Sequence, residues 1–159
     1  MDRRDFLKTV AIAGAAMTIQ RSEAMEVLTQ AVNNTGKPDL VAVMGGEPEV
    51  MFQRAITELG GMKQFVKPGQ KVVVKPNIGW DKVPELAGNT NPKLVAEIVK
   101  QCFAAGAKEV TVFDHTCDDW QKCYKNSGIE AAAKAAGAKV MPAHLESYYR
   151  SVDLPKGKN

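Results

Sequence analysis

Residues 91–113 read Asn91-Pro-Lys-Leu-Val-Ala-Glu-Ile-Val-Lys-Gln-Cys-Phe-Ala-Ala-Gly-Ala-Lys-Glu-Val-Thr-Val-Phe113. Asn followed by Pro is a helix start. The Asn side chain accepts from a free first-turn N–H, and Pro at the first helical position gives up only a donor that has no partner there. Leu94, Ile98 and Cys102 then recur on one helix face, and Gly106 closes the helix. Glu109-Val-Thr-Val-Phe113 is a short β-branched run, which predicts a strand. The same alternation extends outward on both sides. Pro68-Gly69 turns into a strand over Lys71–Lys75 that Pro76 stops. Ser127-x-x-Glu130 is a capping box for an Ala-rich helix ending at Gly137, and Lys139-Val-Met141 begins a further strand. Upstream, Leu40-Val-Ala-Val-Met44 is an apolar run closed by Gly45-Gly46, again a predicted strand. Glu49 to Leu59 places Phe52, Ile56 and Leu59 at helical spacing before Gly60-Gly61. Tyr149 to Leu154 alternates as a last strand would. Strands separated by helices imply parallel β-α-β units. The expected fold is therefore α/β: a Rossmann-like, mostly parallel sheet of four or five strands with helices on both faces.

The chain has 159 residues, 45% hydrophobic and 25% charged, enough for one ordinary domain and its core. That balance excludes low-complexity disorder. No apolar run approaches the roughly 20 residues of a membrane span. The net charge of +3, from 21 basic and 18 acidic residues, is scattered, which argues against nucleic acid as a partner. Three cysteines are too few for a disulfide scaffold.

The amino terminus carries an address. Arg3-Arg4-Asp5-Phe6-Leu7-Lys8 precedes an apolar, Ala- and Gly-rich stretch from Val10 to Ile19, and Ser22-x-Ala24 offers small residues for cleavage. The stretch resembles a twin-arginine export signal, with Asp2 where Ser or Thr is usual. The resemblance divides the chain into a signal peptide over 1–24, a linker over 25–38 and an α/β domain over 39–159. It implies the twin-arginine machinery as a partner, folded export and a periplasmic or other extracytoplasmic destination, where a disulfide is permitted.

A second resemblance rests on Val66-Lys-Pro-Gly-Gln-Lys-Val-Val-Val-Lys75-Pro76-Asn77-Ile78-Gly79-Trp80, with Asn89-Thr90-Asn91-Pro92, Ala105-Gly106-Ala107-Lys108, Phe113-Asp114-x-Thr116-Cys117 and Cys123-Tyr-x-Asn-Ser-Gly128. Together these resemble the family named domain of unknown function 362, over about residues 38–156. Members of that family run to about twice this length, so the resemblance implies that these residues correspond to an amino-terminal half. It supplies no settled reaction. Some members add ferredoxin-type cysteine clusters, which implies an iron–sulfur association, but this chain carries no cluster-binding motif.

In open parallel sheets ligands bind outside the strand carboxyl ends. Four groups fall there: Gly45-Gly46-Glu47, Lys75-Pro76-Asn77, Asp114-His115-Thr116-Cys117 and Pro142-Ala143-His144. Both histidines of the chain lie on this edge. Lys75 can neutralise an anion or, desolvated, act as a base, or it caps the sheet. Asn77 can orient a ligand or close the turn after Pro76. Thr90 and Asn91 can hold an anion at a helix start or serve only as caps. Gly45 and Gly46 admit close backbone approach, without the spacing of a dinucleotide fingerprint. Asp114 and His115 are candidates for handling a proton or a metal, so Lys75, Asp114 and His115 form the candidate catalytic set. His115, Cys117 and Cys123 admit a metal site, with Asp118 and Asp119 close by. A Cys117–Cys123 disulfide competes with that reading and is favoured over it, and a Cys117 thiol acting with His115 is a third. The leading functional expectation is an exported small-molecule or anion-binding site, with an enzyme-like arrangement. The alternatives are a metal or iron–sulfur-associated redox protein and a non-catalytic interaction module whose open sheet edge takes a second chain or a second copy.

Overall fold

The computed structural model describes residues 38–155 and 157. The expected signal peptide, and all but the last residue of the expected linker, lie outside them. From Pro38 onward the chain forms one unit with its own core.

The sheet has three parallel strands in sequence order: β1 (Lys71–Val74), β2 (Glu109–Val112) and β3 (Lys139–Val140). Lys71 pairs with Glu109 and Val74 with Val112, and Val112 in turn with Val140. Among the described residues four α-helices connect or precede the strands: α1 (Pro48–Glu58), α2 (Pro92–Ala104), α3 (Trp120–Asn126) and α4 (Ile129–Ala135). Alternation along β2 sends Val110 and Val112 into the core, where Val95, Val99 and Cys102 of α2 and Ile129 and Ala133 of α4 meet them. Complete burial of such side chains contributes roughly 1.5–3 kcal/mol each for the larger ones, so this layer carries the fold.

The expected helix over 91–104 starts where the sequence places it. Asn91 Oδ1 accepts from the Lys93 N–H at 2.9 Å, and Pro92 opens the first turn. Its buried stripe is Val95, Val99 and Cys102, one position round from Leu94 and Ile98. The helix is apolar across both rows, and Ile98 packs at the core margin. After α2, Gly106 adopts a φ of 103°, and a Cβ there would stand 3.0 Å from Pro68 Cα. Only glycine lets this turn lie against the Pro68-Gly69 turn that leads into β1. Gly69 N–H donates to the Gly106 carbonyl at 2.8 Å and joins the two turns.

Three expectations are corrected. Leu40–Met44 is not a strand among the described residues: no ladder partner lies beside it, and Leu40 and Met44 are 81% and 90% exposed. Valine content alone does not make a strand when its backbone has nothing to pair with. Tyr149–Leu154 is likewise unpaired and follows a single 3-10 turn over Glu146–Tyr148, so the sheet has three strands among the described residues rather than four or five. The described α-helices pack on one face only. On the other, Val73 is 61% exposed, and Thr111, Phe113, Met141, Tyr148 and Tyr149 line an open apolar cleft of about 310 Å³.

Candidate functional site

Lys75 is the first residue past β1 and Asp114 the second past β2, one register step apart at the carboxyl edge, where the long lysine side chain spans the offset. Their side chains form an ion pair. The partners differ in environment: Lys75 is 62% exposed and Asp114 only 4%. A buried carboxylate needs more than one partner. The second oxygen of Asp114 accepts from the Ile78 N–H at 2.7 Å. The backbone of Asp114 is also held, by Tyr124 of α3. The Tyr124 hydroxyl accepts from the Asp114 N–H at 2.8 Å, and its proton is shared between the carbonyls of Asp114 at 2.9 Å and Met141 at 3.1 Å. One phenol thus ties the ends of β2 and β3 together. Burial raises its pKa above the ordinary tyrosine value.

The segment 77–91 is fastened to itself. Asn77 donates its backbone N–H to Thr90 Oγ1 at 2.9 Å and its side-chain amide to the Gly88 carbonyl at 3.2 Å. Asn89 accepts from the Trp80 N–H at 3.0 Å and donates to the carbonyls of Trp80 and Lys82. Of the residues expected to bind a ligand, Thr90 and Asn91 therefore spend their side-chain oxygens on the chain itself. Asn77 is exposed but equally engaged through its amide nitrogen.

Gly45 and Gly46, with φ of 74° and 142°, lead into α1. Glu47 ion-pairs with Lys93 at 2.9 Å, which brings this turn beside the start of α2. The paired carboxylates Glu47 and Glu49 hold the Lys93 ammonium pKa above its usual range, the Glu47 hydrogen bond contributing most.

Asp114 and His115 do not form a pair. As neighbours past a strand end they face opposite ways. His115 Nδ1 lies 2.9 Å from the Ala143 carbonyl, which can only accept, so Nδ1 is the donor of this contact. Tyr149 donates to the same carbonyl at 2.7 Å. The second histidine, His144, stacks on Trp120 at 4.8 Å between ring centroids. Trp120 begins α3, a helix the sequence pattern leaves as a loop.

His115, Cys117 and Cys123 are likewise not gathered round a common point. Among the described residues no group of three or more His, Cys, Asp or Glu side chains is placed to hold a metal ion. Asp119 caps α3 through the Lys122 N–H at 3.0 Å, and Asp118 accepts from the Asp81 N–H at 3.0 Å, so both acids are engaged locally. The three cysteines are free thiols: Cys117 exposed, Cys102 and Cys123 buried. Cys123 Sγ faces the Gly79 carbonyl at 3.6 Å, and that same oxygen accepts from the Cys117 N–H at 2.9 Å and the Asp118 N–H at 3.1 Å. Burial raises the pKa of the Cys123 thiol.

Sequence reasoning missed Tyr124, Asn89 and the Gly79 carbonyl as organising groups. Tyr124 and Asn89 lie within stretches that carry the family resemblance, but nothing in their spacing marks them. The carbonyl belongs to the backbone and leaves no side-chain signal.

The model of the family described as a domain of unknown function, DUF362, matches residues 72–159. Among curated proteins, the thylakoid-associated protein sll1697 of Synechocystis sp. is 42% identical over 50 residues, covering 31% of this chain and 16% of that protein. The chain thus spans only a minor part of this relative in the match. No solved structure matches. The matched residues include all three strands from Val72 onward, the Lys75–Asp114 pair and the Gly79 turn, and by that match the chain belongs to the DUF362 family.

Proposed function

We propose that this domain binds a small molecule bearing an anionic group at the carboxyl edge of the sheet, with Lys75 as the charge that receives it. One observation carries this reading: an exposed ammonium is held over the strand ends by a buried carboxylate that the Ile78 N–H fixes from behind. A lysine that only solubilised a surface would not need a buried partner. Of its three N–H donors, those not directed at Asp114 face outward. The binding test is equilibrium dialysis and thermal shift with inorganic phosphate and with a panel of small carboxylates. Lys75→Met is expected to abolish binding while the far-UV circular dichroism spectrum stays unchanged. Undiminished binding by Lys75→Met overturns the reading.

The export address belongs to the same proposal. Arg3-Arg4 ahead of an apolar stretch supports delivery outside the cytoplasm by the twin-arginine route. Replacing both arginines by lysine is expected to leave the chain in the cytoplasmic fraction of its host.

The uncovered sheet face favours a second reading, that a second copy completes the sheet. Among the described residues β1 is an edge strand, whose unpaired backbone can take a further strand, and Val73 is exposed in its middle. Sedimentation velocity over a concentration series is expected to show a dimer that Val73→Lys abolishes.

A further inference from the structure

We propose that Cys117 and Cys123 are a modification site: an exposed attacking thiol and a buried resolving thiol that close to a disulfide across the Gly79 carbonyl when a low-molecular-weight disulfide is the oxidant. This does not depend on what the Lys75 site binds.

Both sulfurs lie against one residue, Gly79. The Cys117 N–H and the Cys123 Sγ contact the same oxygen, that of Gly79, at 2.9 Å and 3.6 Å. A Cβ built on Gly79 would stand 3.7 Å from Cys117 Sγ, so the Cys117 sulfur also leans over this residue. Gly79 itself has no side chain to stand between them. The connecting chain is short: Asp118 is tied to the same carbonyl, and Asp119 caps the helix that carries Cys123. Closing so small a loop orders little new chain.

The environments divide the labour. Cys117 is exposed and meets an oxidant first. Cys123 is buried, and its raised pKa makes it a poor first nucleophile but does not stop it from resolving a neighbouring mixed disulfide. With glutathione disulfide as oxidant, the Cys117 thiolate attacks one sulfur and forms a Cys117–glutathione bond, and one glutathione leaves as its thiolate. The Cys123 thiolate then attacks the Cys117 sulfur, forming the Cys117–Cys123 bond and releasing the second glutathione. The protein loses two electrons and two protons, and these reappear in two molecules of reduced glutathione. The bridge would fasten the loop that holds Gly79, one residue from the Ile78 N–H on which Asp114 depends.

The test treats the folded protein with glutathione disulfide and reads intact mass and linked peptides. Wild type is expected to become lighter by two hydrogens, with Cys117 and Cys123 in one linked pair and Cys102 still a thiol. Cys123→Ala is expected to retain a glutathione adduct on Cys117, and Cys117→Ser to remain unmodified. A lasting adduct on Cys117 in wild type, with Cys123 still free to alkylate, overturns the proposal, as does an unchanged mass. Should Cys123→Ala fold poorly, the wild-type linked peptide and the Cys117→Ser control decide the matter alone.

Discussion

Asp114 does two separable jobs, and substitutions can part them. One oxygen satisfies the Ile78 N–H and the other holds the Lys75 ammonium. Asp114→Asn keeps an acceptor for Ile78 but loses the charge. Asp114→Ala loses both and leaves a buried donor unpaired, a cost of about 1–3 kcal/mol. The expected outcome in urea unfolding is a clear midpoint drop for Asp114→Ala and a much smaller one for Asp114→Asn, with anion binding altered in both. Equal drops would mean that the ion pair, not the hydrogen bond, holds the loop. Tyr124→Phe isolates a different link. It keeps the aromatic ring in the core and removes the hydroxyl that serves the Asp114 N–H and shares its proton with the Met141 carbonyl. The same range of about 1–3 kcal/mol applies. Amide exchange at Asp114 is expected to accelerate, and Met141 to loosen with it, because one group serves both strands.

At the scale of elements, helix α2 is the part most plainly written in the sequence. Asn91-Pro92 and Gly106 bound it, and both ends behave as their chemistry requires. Asn91→Ala is expected to lower stability by about 1 kcal/mol, read as a shift in thermal midpoint, with no change at the Lys75 site if Asn91 is a cap alone. A matching loss of anion affinity would return Asn91 to the site. Helix α3 is not legible, because its seven residues include one partial apolar turn and its start is set by Asp119, one acid in a run of polar residues. Leu40–Met44 fails the opposite way. It has the composition of a strand, but a strand is a property of two backbones, and periodicity reports only one. The site is legible to the same degree as its elements. The convergence of Lys75 and Asp114 comes from two neighbouring parallel strands ending at one edge, with the lysine side chain spanning the one-residue offset. The engagement of Thr90, Asn91 and Asn77 with their own loop depends on how residues 77–91 fold back, which no local pattern encodes.

Across the whole molecule, three titratable groups lie in one core although they come from two helices. Cys102 is on α2, and Cys123 and Tyr124 are on α3. Burial raises the pKa of each, because desolvation penalises the thiolate and the phenolate. The unfolded chain releases these protons at lower pH than the folded one, so stability is full below the unfolded values and falls as pH rises toward the folded ones. The thiols begin to act above about pH 8.5 and the phenol above about pH 10. Urea midpoints measured from pH 7 to pH 10 are therefore expected to hold level at first and then decline. Cys102→Ala separates this linkage from other alkaline effects. It removes one buried proton site at the cost of a small cavity, so the midpoint at pH 7 is expected to drop while the alkaline decline becomes shallower. An alkaline decline equally steep in Cys102→Ala would assign it instead to Cys123 and Tyr124, the other two buried groups.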